Sequence, residues 1–348
     1  MRVVLHNVQL KSVVSWLPTN NLEMKDLASI YGEAEVNTII KTTGVERARI
    51  ADGDMCSSDM CQYAAEALIE KEGIDKSQID GLVFVSQTTD YILPSTSISL
   101  QHRLGLSKDT VCMDVHYGCS GYIYGLFQAA TWIATGACEN ILVLVGDTTS
   151  RMINPKDKSL RMVFGDCGTA SLVTKGEMDM GFHIQSDGSG AESLIVPAGG
   201  FRTPISEATS VLEWDQDNNG RTKNDLFMDG TEIFNFAIAC VHKNINTLIE
   251  DMQWNKEDVG FYGLHQANDF MLNYVRKRLK IAQDLAPSNC KNYGNTGPAT
   301  IPLLLSDVAG NGHYDLRKSI LCGFGVGLSW GSVATDLSKT KFYEPINK

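Results

Sequence analysis

The sequence predicts an α/β protein of two similar halves, each a mixed, mostly parallel sheet with helices on both faces. Two observations lead there. Apolar runs of strand length alternate with amphipathic runs of helix length along the chain, the pattern of parallel strands joined by helical crossovers. The same order of elements also occurs twice at matching intervals: 33 positions separate a strand end from a helix opening in the first half (86 to 119), and 30 in the second (265 to 295). The halves divide at residues 1–180 and 181–348.

Taken in order, Met1–Leu10 alternates apolar and polar residues like a strand. A helical period covers Ser58–Lys71 and leads into the buried strand Gly81–Ser86, then a helix near Ser95–Leu104. A helix from Ser120 to about Thr135 follows Cys119, then the strand Ile141–Val145 and a segment punctuated by glycine, Phe164–Val173, that reads as a hairpin. The second half repeats the series with a long helix over Gly230–Met252, the strand Val259–His265 and a helix over Asn268–Lys280. Asn295 then opens another helix, followed by the strand Ser319–Cys322 and the glycine-rich Phe324–Val333. Between the halves, Gly188–Asn224 is rich in Gly, Ser, Thr, Asp and Asn and reads as a loop excursion rather than a linker.

Composition limits the function. The net charge of −11 argues against non-specific binding to nucleic acid or anionic membrane, both of which need a cationic field. Nine scattered Cys form neither a secreted disulfide framework nor a zinc pattern, so reduced thiols in the cytoplasm are expected. The N-terminus lacks a signal peptide's apolar core, and no stretch reaches the roughly 18 apolar residues that span a membrane.

Chemistry concentrates at Cys119, in Asp114-Val-His-Tyr-Gly-Cys-Ser-Gly121. It sits where a strand hands over to a helix, so the positive end of the helix dipole is expected to favour its thiolate. If the halves are equivalent, Cys119 and Asn295 occupy matching helix starts and His265 ends a strand beside them. All three then converge on one cleft.

The segments around them are Leu264-His-Gln-Ala-Asn268, Asn292-Tyr-Gly-Asn-Thr-Gly-Pro-Ala299, Phe164-Gly-Asp-Cys-Gly-Thr169 and Phe324-Gly-Val-Gly-Leu-Ser-Trp-Gly331. Together with the Cys119 segment they closely resemble the thiolase-superfamily condensing enzymes of the beta-ketoacyl-ACP synthase III type. The resemblance implies a duplicated thiolase-like fold of five layers, α-β-α-β-α, a homodimer, and an acyl carrier protein (ACP) as partner. It implies acyl transfer from acyl-ACP or acyl-CoA to Cys119, then decarboxylative Claisen condensation with malonyl-ACP, with no tightly bound cofactor and no metal. His265 and the Asn295 amide would donate to the enolate oxygen, and the backbone N–H groups of Cys119 and Val326 are the oxyanion-hole candidates. Arg151 matches a cofactor-contacting position, and Lys277 and Arg278 offer a basic face for an acidic carrier. Leu93 matches a position that lines the partner subunit's acyl pocket.

Three departures bear on the alternatives. The positions of an adenine-clamping Trp and Arg are Thr38 and Thr42, and Phe270 stands where an Arg is common, so CoA thioesters are expected to be weak donors. A degradative thiolase needs a second Cys directly before the glycine-rich end. Here Gly323 separates Cys322 from Phe324, which turns Cys322 to the other face of its strand. The remaining alternative is a non-condensing acyltransferase or thioesterase of the same fold, passing the acyl group from Cys119 to a hydroxyl, amine or water.

Overall fold

The computed structural model describes residues 1–310 and 313–347. The elements that position the site are β1 (Arg2–Leu17), α1 (Glu33–Thr43), α2 (Ser57–Glu72), β2 (Gly81–Val85), α3 (Thr96–Arg103), β3 (Val111–Val115), α4 (Gly121–Ala134), β4 (Asn140–Asp147) and β5 (Cys167–Ser186). They continue with α5 (Gly230–Asp251), β6 (Phe261–Leu264), α6 (Asp269–Leu279), α7 (Thr300–Leu304), β7 (Ser319–Gly325) and β8 (Ser329–Thr335).

Strand alternation builds five layers. Leu82 and Phe84 of β2, with Leu142 and Leu144 of β4, face outward onto Met60, Ala64 and Leu68 of α2 and Leu100 of α3. The intervening Val83, Val85 and Val143 face inward onto Ile123, Leu126 and Ala130 of α4. That central layer also holds Ile301 of α7 and touches Phe261, Leu321 and Val333 of the second set of strands. Those strands turn Tyr262, Leu264, Ile320 and Cys322 to the far side, against Ile233, Ala237 and Ile245 of α5 and Leu272 and Val275 of α6. Strands buried on both faces explain why β2 and β6 read as continuous apolar runs rather than alternating ones.

The hydrogen-bonded order is β6-β7-β8-β5-β4-β2-β3, with β1 also on β5. Parallel ladders join β2 to β3 and β4, and β6 to β7; antiparallel ladders join β5 to β1, β4 and β8, and β7 to β8. The 20-residue β5 serves both sets: Cys167–Thr174 pairs with β4, and Met180–Ser186 pairs with β8.

Phe164–Val173 is not a hairpin. Phe164 forms a bridge to Asn295, and the chain then enters β5 without reversing. Its glycines mark close approach instead of a turn. A Cβ on Gly168 would lie 2.4 Å from Met60 Cβ on α2, and one on Gly165 would lie 2.5 Å from the carbonyl oxygen of Tyr293. Asn295 does not itself open a helix either: a short 3₁₀ turn, Gly297–Ala299, intervenes before α7.

Candidate active site

Cys119 stands on the turn between β3 and α4, held by the Gly121 N–H donating to the Gly118 carbonyl at 2.6 Å. Close packing fixes it from two sides. A Cβ on Gly121 would lie 2.6 Å from Val85 Cγ1, so α4 lies tight on the first sheet. A Cβ on Gly325 would lie 2.6 Å from Cys119 Cβ and 2.8 Å from Sγ, so the backbone of β7 runs against the nucleophile. The Ser120 and Ser329 hydroxyls, 2.7 Å apart, tie the turn to β8.

His265 follows β6 directly, its N–H donating to the Cys322 carbonyl at 2.8 Å as an extension of the parallel ladder. Its ring is buried, edge-on to Phe324, with Nδ1 2.6 Å from the Thr300 hydroxyl. Asn295 is buried too; its N–H donates to Val163 O at 2.8 Å and its carbonyl accepts from Gly165 N at 3.0 Å. Its Oδ1 accepts from the Gly297 N–H at 3.0 Å, which leaves the amide N–H₂ as the free donor. Cys119, His265 and Asn295 line one cavity of about 130 Å³, walled by Phe164, Phe234, Phe270 and Phe324.

Burial sets the protonation states. It pushes the Cys119 thiol up to about 11, opposed by hydrogen bonds from the Val326 N–H and Cys119's own N–H, with the charge of Asp147 raising it further. Burial also drives the His265 imidazole down to about 3. The resting pair is a thiol and a neutral imidazole. Desolvation of Sγ thus opposes the thiolate that the helix N-terminus and the two backbone N–H groups favour. The two backbone donors aimed at Sγ are the two N–H groups expected to form the oxyanion hole.

A second cavity, about 540 Å³, also reaches Cys119 and is lined by Gln87, His116, Asp147, Thr149, Met152, Leu194, Val196, Leu226 and Val326 among others. On the Phe270 side lies a mouth of about 710 Å³ formed by Thr38, Lys41, Thr42, Gly44, Asp269, Phe270 and Asn273. The Thr38 and Thr42 hydroxyls donate back to carbonyls of their own helix, at Ala34 and Thr38.

The outlying residues divide. Lys277 and Arg278 are exposed on the last turn of α6, with Asn273 and Tyr274 exposed on the preceding turn, and Lys277 Nζ lies 5.3 Å from the Tyr274 ring centre. Arg151 is tied to a neighbouring loop. Its Nη2 donates to the carbonyls of Asp52, Gly53 and Met55 at 2.7–2.8 Å, so its guanidinium holds a loop. Leu93 is 79% exposed and is not among the residues lining either cavity at Cys119. Cys322 lies on the face of β7 opposite Gly323 and Gly325, packed with α5 and hydrogen-bonded to Ser332.

Asp147 escaped the sequence reading, although an acid ending the apolar run Ile141–Gly146 was the available signal, since open α/β sheets place ligands at the carboxyl ends of their strands. Thr300, the partner of His265, offered no such signal.

The chain matches two family models, "3-Oxoacyl-[acyl-carrier-protein (ACP)] synthase III" over residues 113–188 and the C-terminal model of the same family over residues 249–337. It is similar to a putative 3-oxoacyl-[acyl-carrier-protein] synthase 3 of Campylobacter jejuni, 34% identical over 84% of this chain and 82% of that one. A beta-ketoacyl-[acyl-carrier-protein] synthase III of Caldanaerobacter subterraneus is 32% identical over 93% and 96% of the two chains. Among solved structures, a 3-oxoacyl-(acyl-carrier protein) synthase of Burkholderia xenovorans superposes with a TM-score of 0.92 at 35% identity, covering 100% of this chain and 99% of that one.

Proposed function

The chain belongs to the 3-oxoacyl-[acyl-carrier-protein] synthase III family, and we propose that Cys119 is its acyl-carrying nucleophile, with His265 and Asn295 as the donors that drive decarboxylation. It is an acyltransferase that joins an acyl group to malonyl-ACP with loss of CO2. The observation that carries the assignment of roles is the single cavity shared by a thiol, a neutral imidazole and an Asn amide free to donate.

In the first half-reaction Sγ attacks the donor thioester, and the oxyanion is held by the N–H groups of Cys119 and Val326. Collapse expels the donor thiol, which takes the proton lost by Cys119, and leaves an acyl thioester on Sγ. Malonyl-ACP then enters from the Phe270 side. Its carboxylate leaves as CO2, and the bond's electron pair becomes an enolate whose oxygen accepts from Asn295 Nδ2 and His265 Nε2. The enolate carbon attacks the acyl carbonyl, Sγ departs as a thiolate that takes up a proton from solvent, and 3-oxoacyl-ACP is released. A non-condensing transfer is not favoured, since moving an acyl group to water or an amine needs no pair of enolate donors.

The acyl donor is ACP-bound rather than CoA-bound. Supporting this, the clamp positions hold Thr38 and Thr42, whose short side chains offer an adenine neither a stacking ring nor a cation. The exposed face of α6 from Phe270 to Lys277 and Arg278 is the carrier dock. With matched acyl groups, acyl-ACP is expected to acylate Cys119 faster than acyl-CoA at equal concentration, followed by a 3-oxoacyl product with malonyl-ACP, both read by mass. Faster acylation by CoA would reverse the donor assignment, and no 3-oxoacyl product from any donor would overturn the division of roles.

Two copies join along β3. Among the described residues this edge strand pairs on one side only, with Val111 and Met113 exposed, and the exposed Tyr91-Ile92-Leu93 lies next to it because Asp114 of β3 caps the start of α3. Leu93 then reaches the acyl pocket of the partner. A charge on the edge opposes strand pairing, so Met113→Lys is expected to give a monomer by sedimentation equilibrium; an unchanged mass would place the interface elsewhere. Nine free cysteines support a cytoplasmic setting.

A further inference from the structure

The larger cavity beside Cys119 has two unlike walls. One is apolar, made by Met152, Phe164, Leu194, Ile195, Val196 and Leu226. The other carries Gln87, His116, Asp147 and Thr149. Gln87 is packed against the residue preceding the nucleophile: a Cβ on Gly118 would lie 2.3 Å from Gln87 Oε1, so only glycine admits the carboxamide there. Asp147 accepts hydrogen bonds from Ser86 Oγ, Gln87 N, Thr88 N and Thr88 Oγ1, all on Oδ1. Its other oxygen is turned to Gly297, where a Cβ would meet Asp147 Oδ2 at 3.1 Å and Thr149 Oγ1 at 3.5 Å. Asp147 is 1% exposed and Thr149 4%, and both face the cavity. This wall therefore offers a buried carboxyl oxygen, a hydroxyl and an adjustable carboxamide.

Plain alkyl groups leave such groups desolvated without partners, whereas a site built to hydrogen-bond a hydroxyl discriminates strongly against the analogue lacking it. We propose that the acyl group carried by Cys119 bears a neutral hydroxyl close to the thioester, at carbon 3, received by Gln87, Asp147 and Thr149, with its aliphatic remainder on the apolar wall. The inference rests on Cys119 being the acyl carrier. An acidic substituent is disfavoured because no Lys or Arg lines the cavity among the described residues. Burial pushes the Asp147 carboxyl up to about 6, which still leaves it largely ionised at pH 7, so an amino substituent is the competing occupant and the test includes it. The hydroxyl position follows from Gln87, whose carboxamide begins the polar wall one residue from the nucleophile.

The test compares acylation of Cys119 by butanoyl-, 3-hydroxybutanoyl- and 3-aminobutanoyl-ACP at equal concentration, read by intact mass, with malonyl-ACP added afterwards. The 3-hydroxy donor is expected to react at least about tenfold faster than butanoyl. Gln87→Met and Thr149→Val, each checked for wild-type melting, are expected to bring that ratio toward one. Equal rates, a faster butanoyl donor, or a ratio unmoved in both variants would overturn the proposal. A preference for the amino donor would overturn it in favour of charge recognition by Asp147. No adduct on Cys119 from any donor would overturn the acyl-enzyme reading and this inference with it, whereas adducts without a 3-oxoacyl product would overturn the roles of His265 and Asn295 and leave the measured preference to decide the hydroxyl.

Discussion

His265→Ala and Asn295→Ala are expected to slow decarboxylation of malonyl-ACP by about 10²–10³-fold each, the usual loss when a fixed donor to a developing oxyanion is removed. Both should still accept an acyl group on Cys119. The separation follows from geometry: the donors aimed at Sγ are backbone N–H groups, which neither substitution removes, while the side-chain donors come from the other half of the chain. Cys119→Ser should show the reverse, with no stable acyl adduct by intact mass. Loss of acylation in the His265 and Asn295 variants to the same extent as decarboxylation would refute the division.

The pH dependence belongs to the same expectation. A thiol raised to about 11 is almost wholly protonated at pH 7, so its thiolate fraction, and with it alkylation by iodoacetamide, should climb about tenfold per pH unit from 6 to 9 without levelling. A histidine held down to about 3 stays neutral throughout that range, so decarboxylation by the acylated enzyme should be flat between pH 5 and 8. A plateau of alkylation near pH 7 would mean an ion pair instead of two neutral groups. The stability sign is also set. Below pH 6.5 the unfolded imidazole binds a proton that the folded one refuses, so this group costs about 1.4 kcal/mol for each unit of further acidification toward pH 3.

Gly325→Ala is expected to abolish most activity while leaving a folded protein. The added methyl would stand 2.6 Å from Cys119 Cβ and 2.8 Å from Sγ. Neither side can yield cheaply, because β7 is paired with both β6 and β8 and Cys119 is anchored to a buried helix. Overpacking of this kind costs about 1–3 kcal/mol, and moving a reacting atom by about 1 Å can cost 10²-fold in rate. Gly188→Ala, whose Cβ meets nothing within 4 Å, serves as the control. Acylation rate and melting temperature measured together decide the matter: a near wild-type rate in Gly325→Ala would show that the nucleophile is not confined by β7.

Much of the fold was legible because its signals are local. Strands buried on both faces and amphipathic helices announce themselves over a few residues, and the observed ends of α2, α4, α5 and α6 lie within a residue or two of the expected ones. Glycine was the exception. Gly165 and Gly168 suggested a turn, but they answer to Tyr293 and Met60, contacts that exist only after folding. The carbonyls that hold Arg151 were equally illegible, since a long cationic side chain takes whichever acceptors the fold brings within reach.

The sequence by itself determined the order of elements and the three segments bearing Cys119, His265 and Asn295, because each lies beside the end of a regular element and is marked by its neighbours. Tertiary structure decided their state. The close approach of Gly325 and the aromatic walls strip water from Sγ and the imidazole, and it is that desolvation, assembled from residues some 200 positions apart, that keeps the thiol protonated and the histidine neutral. The polar wall of the acyl chamber arises the same way, from Gln87, Asp147 and Thr149 gathered at the ends of β2 and β4 around two glycines. Propensity and periodicity act between neighbours along the chain, whereas burial is a property of the whole packed molecule.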